Sequence, residues 1–284
     1  MIAGLETDYT NFRKYFEDES TKYFHQQSKV NPQLELLWKS MSYTYFLDGK
    51  RFRPFLCYLT AQAFKKPFSE VFPWALAVEL IHTYSLIHDD LPCLDNDDLR
   101  RGEPTNHKVF GEDVALLSGD ALLTEAFSVV ATMAGNPQTV IKAIQLLSNK
   151  TGAQGMVGGQ VLDMKVDLKI SLKELEHIHL LKTANLIEVS VVGAALLCGA
   201  SESQIKNLGI FGSQLGIAFQ IKDDLLDGLD SDQDFKNYIK ILGEEKTKIE
   251  LKNKTEAARE ALKKSQVSGV SFEKLLEYNI SRKK

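Results

Sequence analysis

Apolar residues recur at three- and four-residue spacing along most of the chain, a period that points to helix. Ala77, Leu80, Ile81, Tyr84 and Ile87 form one such stripe within 73–90. Alternating runs of the strand type are scarce. Val189–Val192 is β-branched, but it sits inside a stronger helical period. The prolines agree. All seven (Pro32, Pro54, Pro67, Pro73, Pro92, Pro104 and Pro137) lie at or before position 137. Beyond it, long helices can run without a residue that lacks a backbone donor and clashes with the preceding turn. Helices are predicted over 8–27, 33–46, 53–63, 73–90, 114–133, 138–149, 171–199, 203–226, 238–265 and 272–280. Ser171 with Glu174 forms a capping box that opens the 171–199 helix, which ends at Gly199. The main polar interruptions are 48–54, 96–111 and 228–236. No low-complexity tract, long-period repeat or linker divides the chain. The expected architecture is a single all-α domain over 1–284, a bundle of about ten or more helices.

Charge narrows the function. There are 34 Lys+Arg against 38 Asp+Glu, a net charge of −4. A broad basic surface for nucleic acid is therefore not expected. A hydrophobic fraction of 44% and a charged fraction of 25% are those of a globular chain. The N-terminus, with Glu6, Asp8, Arg13 and Lys14, lacks the apolar core of a secretory signal. The longest uncharged run, 126–141, is broken by Gly135-Asn136-Pro137. It is too short for a bilayer core of roughly 30 Å. Cys57, Cys93 and Cys198 are an odd count without metal-type spacing, as in reduced thiols. The expectation is a cytoplasmic protein with no transmembrane segment.

Two acidic clusters carry the chemistry. The first is Asp89-Asp90-Leu91-Pro92-Cys93-Leu94-Asp95-Asn96-Asp97-Asp98, followed by Arg100-Arg101. The second is Gln220-Ile221-Lys222-Asp223-Asp224-Leu225-Leu226-Asp227. At helical spacing Gln220, Asp223, Asp224 and Asp227 would line one side of a helix. Like charges one turn apart repel, and a hard divalent cation with oxygen ligands would offset that. Asp95 is out of helical register with Asp89, but Pro92 should end or kink the helix and let the acids converge. A solvated acidic face would explain one such cluster but not two on separate apolar helices. EF-hand loops are excluded, because neither cluster has the required Gly and Glu positions. Magnesium held by a few carboxylates normally shares its remaining positions with water and phosphate. Cationic groups for phosphate are present: Arg100-Arg101, the turn Gly49-Lys50-Arg51-Phe52-Arg53-Pro54, Lys182-Thr183, and His82 two turns before Asp89, with Glu79 one turn further back. The combination points to two anionic groups, one held through metal and one held by Arg, Lys and His.

These residues resemble the short-chain trans-isoprenyl diphosphate synthases, most closely the bacterial farnesyl diphosphate synthases. The resemblance is carried by 49–54, 81–107, 155–163, 182–183 and 219–227, with support from 117–127. It implies an all-α bundle around a deep central cavity, a homodimer, and head-to-tail condensation of an allylic diphosphate with isopentenyl diphosphate. It implies several Mg²⁺ ions bridging the allylic diphosphate to Asp89, Asp90, Asp95, Asp223, Asp224 and Asp227, with Asp89, Asp95 and Asp223 as first-choice ligands. Arg100 and Lys182 would hold the same diphosphate. Gly49, Lys50, Arg53, His82 and Arg101 would form the isopentenyl diphosphate site. Thr183 and Gln220 would set polar oxygens near the allylic cation. Tyr84 and Ser85, just upstream of the first cluster, would form the cavity floor, and a bulky Tyr84 implies a C15 product.

Two departures stand out. The family's usual Gly-Gly before the basic turn is Asp48-Gly49 here. The lysine-bearing loop after the second cluster is shortened, leaving Lys236 as the candidate lysine. The basic tail Arg282-Lys283-Lys284 could reach the site, though a solvated tail is the expectation. Alternatives are a geranylgeranyl diphosphate synthase, a non-catalytic subunit keeping the fold, and a terpene cyclase. The cyclase has no use for a second diphosphate site.

Overall fold

A computed structural model describes residues 4–165, 170–228 and 236–283. Its helices in chain order are α1 (Glu6–Ser28), α2 (Glu35–Phe46), α3 (Phe52–Ala63), α4 (Phe68–Asp89), α5 (Asn106–Phe110), α6 (Glu112–Ala131) and α7 (Pro137–Thr151). They continue as α8 (Met156–Lys165), α9 (Leu172–His179), α10 (Asn185–Leu197), α11 (Glu202–Asp227), α12 (Tyr238–Leu242), α13 (Glu244–Ser265) and α14 (Val270–Ser281). A π turn, Leu180–Ala184, joins α9 to α10. A short antiparallel ribbon, β1 (Leu99–Arg100) and β2 (Glu103–Pro104), sits between α4 and α5. The all-α expectation therefore holds.

Local chemistry explains several boundaries. The Ser171 hydroxyl accepts from the Glu174 N–H and the Glu174 carboxylate accepts from the Ser171 N–H, so the predicted capping box forms. Ser201 and Gln204 make another at α11. Asn136 caps α7, with Pro137 at the first helical position. Three expectations are corrected. The predicted 238–265 helix splits at Gly243, whose φ of 79° breaks the helical path. The 73–90 helix begins earlier, at Phe68, and carries Pro73 inside it. α8 was not predicted, because its glycines and polar residues dilute the apolar period.

The core runs through α1, α3, α4, α6, α10 and α11, with Phe12, Phe16, Phe55, Trp74 and Phe211 fully buried. A smaller apolar cluster around Leu175, Ala184, Ile217 and Tyr238 underlies the π turn. Two segments, Glu112–Ala131 and Leu172–Leu197, are long and apolar enough to cross a membrane by length and composition alone. The second is mostly buried inside the bundle, 61% of its most apolar window. Burial among other helices explains its apolar composition, as in any core helix. Cys57, Cys93 and Cys198 are free thiols, as expected.

Candidate active site

The first acidic cluster forms where α4 stops. Pro92 has no N–H to offer, and the chain turns back on itself. The Asp95 N–H donates to the Asp89 carbonyl at 2.9 Å, so the two residues out of helical register are brought together. The ribbon then returns the basic pair. The Asn106 amide donates to the Ser40 carbonyl and to the Thr44 hydroxyl, both at 2.9 Å, tying the far side of the ribbon to α2. Arg100 Nε donates to Asp90 Oδ1 at 2.9 Å, Nη2 donates to the same oxygen, and Nη2 also reaches Asp97 at 3.0 Å. Asp90 is almost fully buried, and burial raises its carboxyl pKa despite the arginine. Asp89 is pushed up to about 6 by burial, and Asp95 and Asp90 add repulsion that Lys182 and Arg100 only partly offset.

The basic turn points two ways. Arg51, with φ of 47°, swings inward. Its Nη1 pairs with Glu79 at 3.1 Å and Nη2 donates to the Leu47 carbonyl at 3.1 Å. Glu79 thus belongs to the scaffold. Gly49, Lys50, Arg53, His82 and Arg101 line a cavity of about 440 Å³ together with Phe52 and Phe219. A Cβ at Gly49 would lie 2.6 Å from Arg101 Nη1, so a glycine there leaves room for the guanidinium. The Arg53 Nε is buried without a hydrogen-bond partner. Burial lowers the pKa of Arg53 and of Arg101, and Arg101 adds repulsion on Arg53. Burial, then Arg53, Arg101, Arg51 and Arg100, hold the His82 imidazole well below its ordinary pKa. That is positive charge gathered on partly desolvated groups, a setting that favours binding of an anion.

The π turn carries Lys182 and Thr183, and π turns inside helices recur at functional sites. α8 packs directly on it: a Cβ at Gly159 would sit 2.6 Å from the Lys182 backbone nitrogen. Asp163, also on α8, accepts from Lys182 Nζ at 2.7 Å through Oδ2 and pairs with Lys236 Nζ at 3.0 Å through Oδ1. Burial works against the Asp163 anion, but the two lysines outweigh it and its pKa falls. Burial likewise opposes the charge on Lys182, yet Asp163 raises its pKa overall. The Thr183 hydroxyl donates to Gln220 Oε1 at 3.2 Å. Asp163, Lys182, Thr183, Gln220, Asp224, Asp227 and Lys236 all line a cavity of about 530 Å³. Lys236 therefore stands beside Lys182, both lysines meeting the Asp163 carboxylate. Asp230, Asp232 and Asp234 of that loop, and Lys284, lie outside the described residues.

One expectation beside the second cluster, a solvated Arg282, is corrected. Gln220, Asp224 and Asp227 share the cavity, but Asp223 does not line it. Asp223 instead pairs with Arg282 Nη2 at 2.6 Å. Arg282 is not solvated: its side chain is only 3% exposed, lies over the Phe219 ring and donates to the Phe219 carbonyl. Burial raises the Asp223 pKa, and Arg282 and Lys50 counter it. Asp224 Oδ2 accepts the Tyr238 N–H at 2.7 Å, which anchors the start of α12. Asp163 and the α8 wall escaped sequence reasoning as site elements. The only signal was that 155–163 lay within the family match.

A third cavity, about 390 Å³, runs from Asp89, Lys182 and Thr183 down between α4 and α8. Met156, Val157, Val161 and Met164 form one wall, and Tyr84, Ser85 and His88 the other. Its mouth is charged and its depth is largely apolar. Among the described residues, no three His, Cys, Asp or Glu side chains lie together as a complete metal cage. The donor set still fits Mg²⁺, which takes one or two carboxylates and keeps positions for water and phosphate. Burial lifts the Asp89 pKa, with smaller additions from Asp95 and Asp90, and a bound cation would favour its charged form.

Similarity to known proteins agrees with the geometry. Residues 34–264 match the polyprenyl synthetase family. The farnesyl diphosphate synthase of Micrococcus luteus is 40% identical over 270 residues, covering 90% of this chain and 93% of that protein. The chloroplastic geranylgeranyl pyrophosphate synthase of Catharanthus roseus is 48% identical over 200 residues, covering 69% of this chain and 56% of that one. The crystal structure of a geranyltransferase from Legionella pneumophila superposes with a TM-score of 0.88 at 29% identity, covering 98% of this chain and 97% of that one. With the fold, the site and the sequence in agreement, the chain belongs to the polyprenyl synthetase family.

Proposed function

We propose that this protein is a farnesyl diphosphate synthase, a prenyltransferase that condenses dimethylallyl or geranyl diphosphate head-to-tail with isopentenyl diphosphate. One observation carries the reading. An apolar cavity opens at Asp89, Lys182 and Thr183, and cation-lined cavities flank that mouth on both sides. Two diphosphates and one growing hydrocarbon chain need that arrangement.

Lys182, Lys236 and Arg100 hold the allylic diphosphate and stabilise it as it departs. Lys50, Arg53, His82 and Arg101 hold isopentenyl diphosphate, with Gly49 leaving space for Arg101. Asp89, Asp90, Asp95, Asp223, Asp224 and Asp227 would hold several Mg²⁺ ions, which would supply charge neutralisation on the leaving group. The Thr183 and Gln220 oxygens face the allylic cation. Met156, Val157 and Val161 give that side of the cavity an apolar lining, which offers the cation no nucleophile. No side chain is needed as general base, because the departing diphosphate takes the final proton. Tyr84, with Ser85, closes the floor and limits the product to farnesyl length. The geranylgeranyl synthase relative keeps a longer product as the second reading.

The whole of 1–284 acts as one isoprenyl diphosphate synthase domain. It works as a homodimer in the cytoplasm, on small-molecule diphosphates and not on nucleic acid. Purified protein with Mg²⁺, dimethylallyl diphosphate and isopentenyl diphosphate should release inorganic diphosphate. No release with intact, folded protein would favour a non-catalytic subunit.

A further inference from the structure

The cavity floor is not held by Tyr84 alone. The Tyr84 hydroxyl is buried and has no hydrogen-bond partner, so packing alone fixes the ring. One packing partner is His88, one turn on along α4. Side chains on a helix lean toward its N-terminus, and residues four apart meet. The two ring centroids lie 5.8 Å apart at an interplanar angle of 76°. Both rings line the apolar cavity.

His88 is itself pinned from behind by α6. Its Nε2 donates to the Leu116 carbonyl at 3.0 Å. A Cβ built on Gly119 would lie 2.0 Å from that nitrogen and 2.3 Å from Cδ2. The ring therefore occupies the space that any larger residue at 119 would fill. A methyl there displaces the ring off α6, toward Tyr84 and the lumen that both rings line. Loss of the ring has the opposite effect, because Tyr84 then loses its neighbour on the α6 side and can move into the space vacated.

We propose that His88 and Gly119 are specificity-determining residues, a wedge that sets how far Tyr84 projects and hence the length of the product. This rests on the prenyl-elongation reading above. The direction of each change follows from the geometry. Gly119→Ala shortens the usable cavity and favours geranyl product. His88→Ala lengthens it and favours geranylgeranyl product. The double variant must behave as His88→Ala, because the new methyl has no ring left to push.

The test is chromatography of dephosphorylated products from wild type, the two single variants and the double variant, each with Mg²⁺, dimethylallyl diphosphate and labelled isopentenyl diphosphate. Fit of a single hydrocarbon increment in an apolar pocket discriminates by roughly tenfold or more. Gly119→Ala should therefore raise the geranyl to farnesyl ratio by about tenfold. His88→Ala should raise the geranylgeranyl to farnesyl ratio by a similar factor. Thermal melting identifies variants that have lost the fold. If Gly119→Ala does not fold, His88→Ala, at a half-buried position, decides alone. Folded variants with the wild-type product ratio would overturn the wedge while leaving the enzyme assignment standing. So would a double variant that makes the shorter product of Gly119→Ala. Wild type that yields no prenyl product at all would remove the elongation reading, and the wedge with it.

Discussion

At the scale of the residue, the site is divided between side chains that face substrate and side chains that hold the frame. Arg51 and Arg53 are two positions apart in one basic turn, and residue type cannot tell them apart. The left-handed backbone at Arg51 turns it onto Glu79, with both side chains 3% exposed or less. Removing one partner leaves a buried charge uncompensated. Glu79→Gln should therefore lower the unfolding free energy by about 3 kcal/mol in denaturant titration. A change within a few tenths would show that the pair is not a frame element. Asp89 behaves in the opposite sense. Its folded pKa of about 6 lies above the ordinary 3.8, so the folded state resists its ionisation. Stability from this group is full below pH 3.8 and is lost as pH rises to about 6. Without divalent ions, Asp89→Asn should match the parent near pH 4 and exceed it at pH 8 by about 1–3 kcal/mol. A gap independent of pH would contradict burial as the cause.

At the scale of the element, the π turn and α8 act as one unit. The capping box of α9 was legible, because it needs only Ser171 and Glu174 at fixed spacing. The π turn was not, because Leu180–Ala184 has no residue that forbids ordinary helix. α8 was also hidden, since its value lies in being thin at Gly159 rather than apolar throughout. A methyl at Gly159 would sit 2.6 Å from the Lys182 backbone nitrogen, so α8 or the π turn must move. Gly159→Ala should cost about 1–3 kcal/mol of stability, as overpacking does. By displacing Lys182 it should also lower kcat at least about tenfold, since small errors of position are costly. The KM for isopentenyl diphosphate should hardly change, because Arg53, His82 and Arg101 are on other elements. An unchanged kcat would show that Lys182 does not need the α8 contact.

At the scale of the molecule, near-neutral charge conceals a sorting of signs. Carboxylates of α4 and α11 meet cations of the basic turn, the ribbon, the π turn and the tail around connected cavities. The helical bundle and most site residues were legible because each leaves a local trace, an apolar period or an acidic pair. The partners were not. Asp163 with Lys182 and Lys236, Arg282 with Asp223, and His88 with Gly119 join positions far apart in sequence or on different helices. Only packing reveals such pairs. Product length is also a property of the whole cavity, with Tyr84 at its floor. Tyr84→Ala should open the floor and move the main product from farnesyl to geranylgeranyl diphosphate. An unchanged distribution would place the floor elsewhere. The most direct measurement is chromatography of the products that wild-type protein forms from dimethylallyl diphosphate, isopentenyl diphosphate and Mg²⁺. Farnesyl diphosphate as the main product is the predicted result. Geranylgeranyl diphosphate as the main product, or no condensation by folded protein, would contradict it.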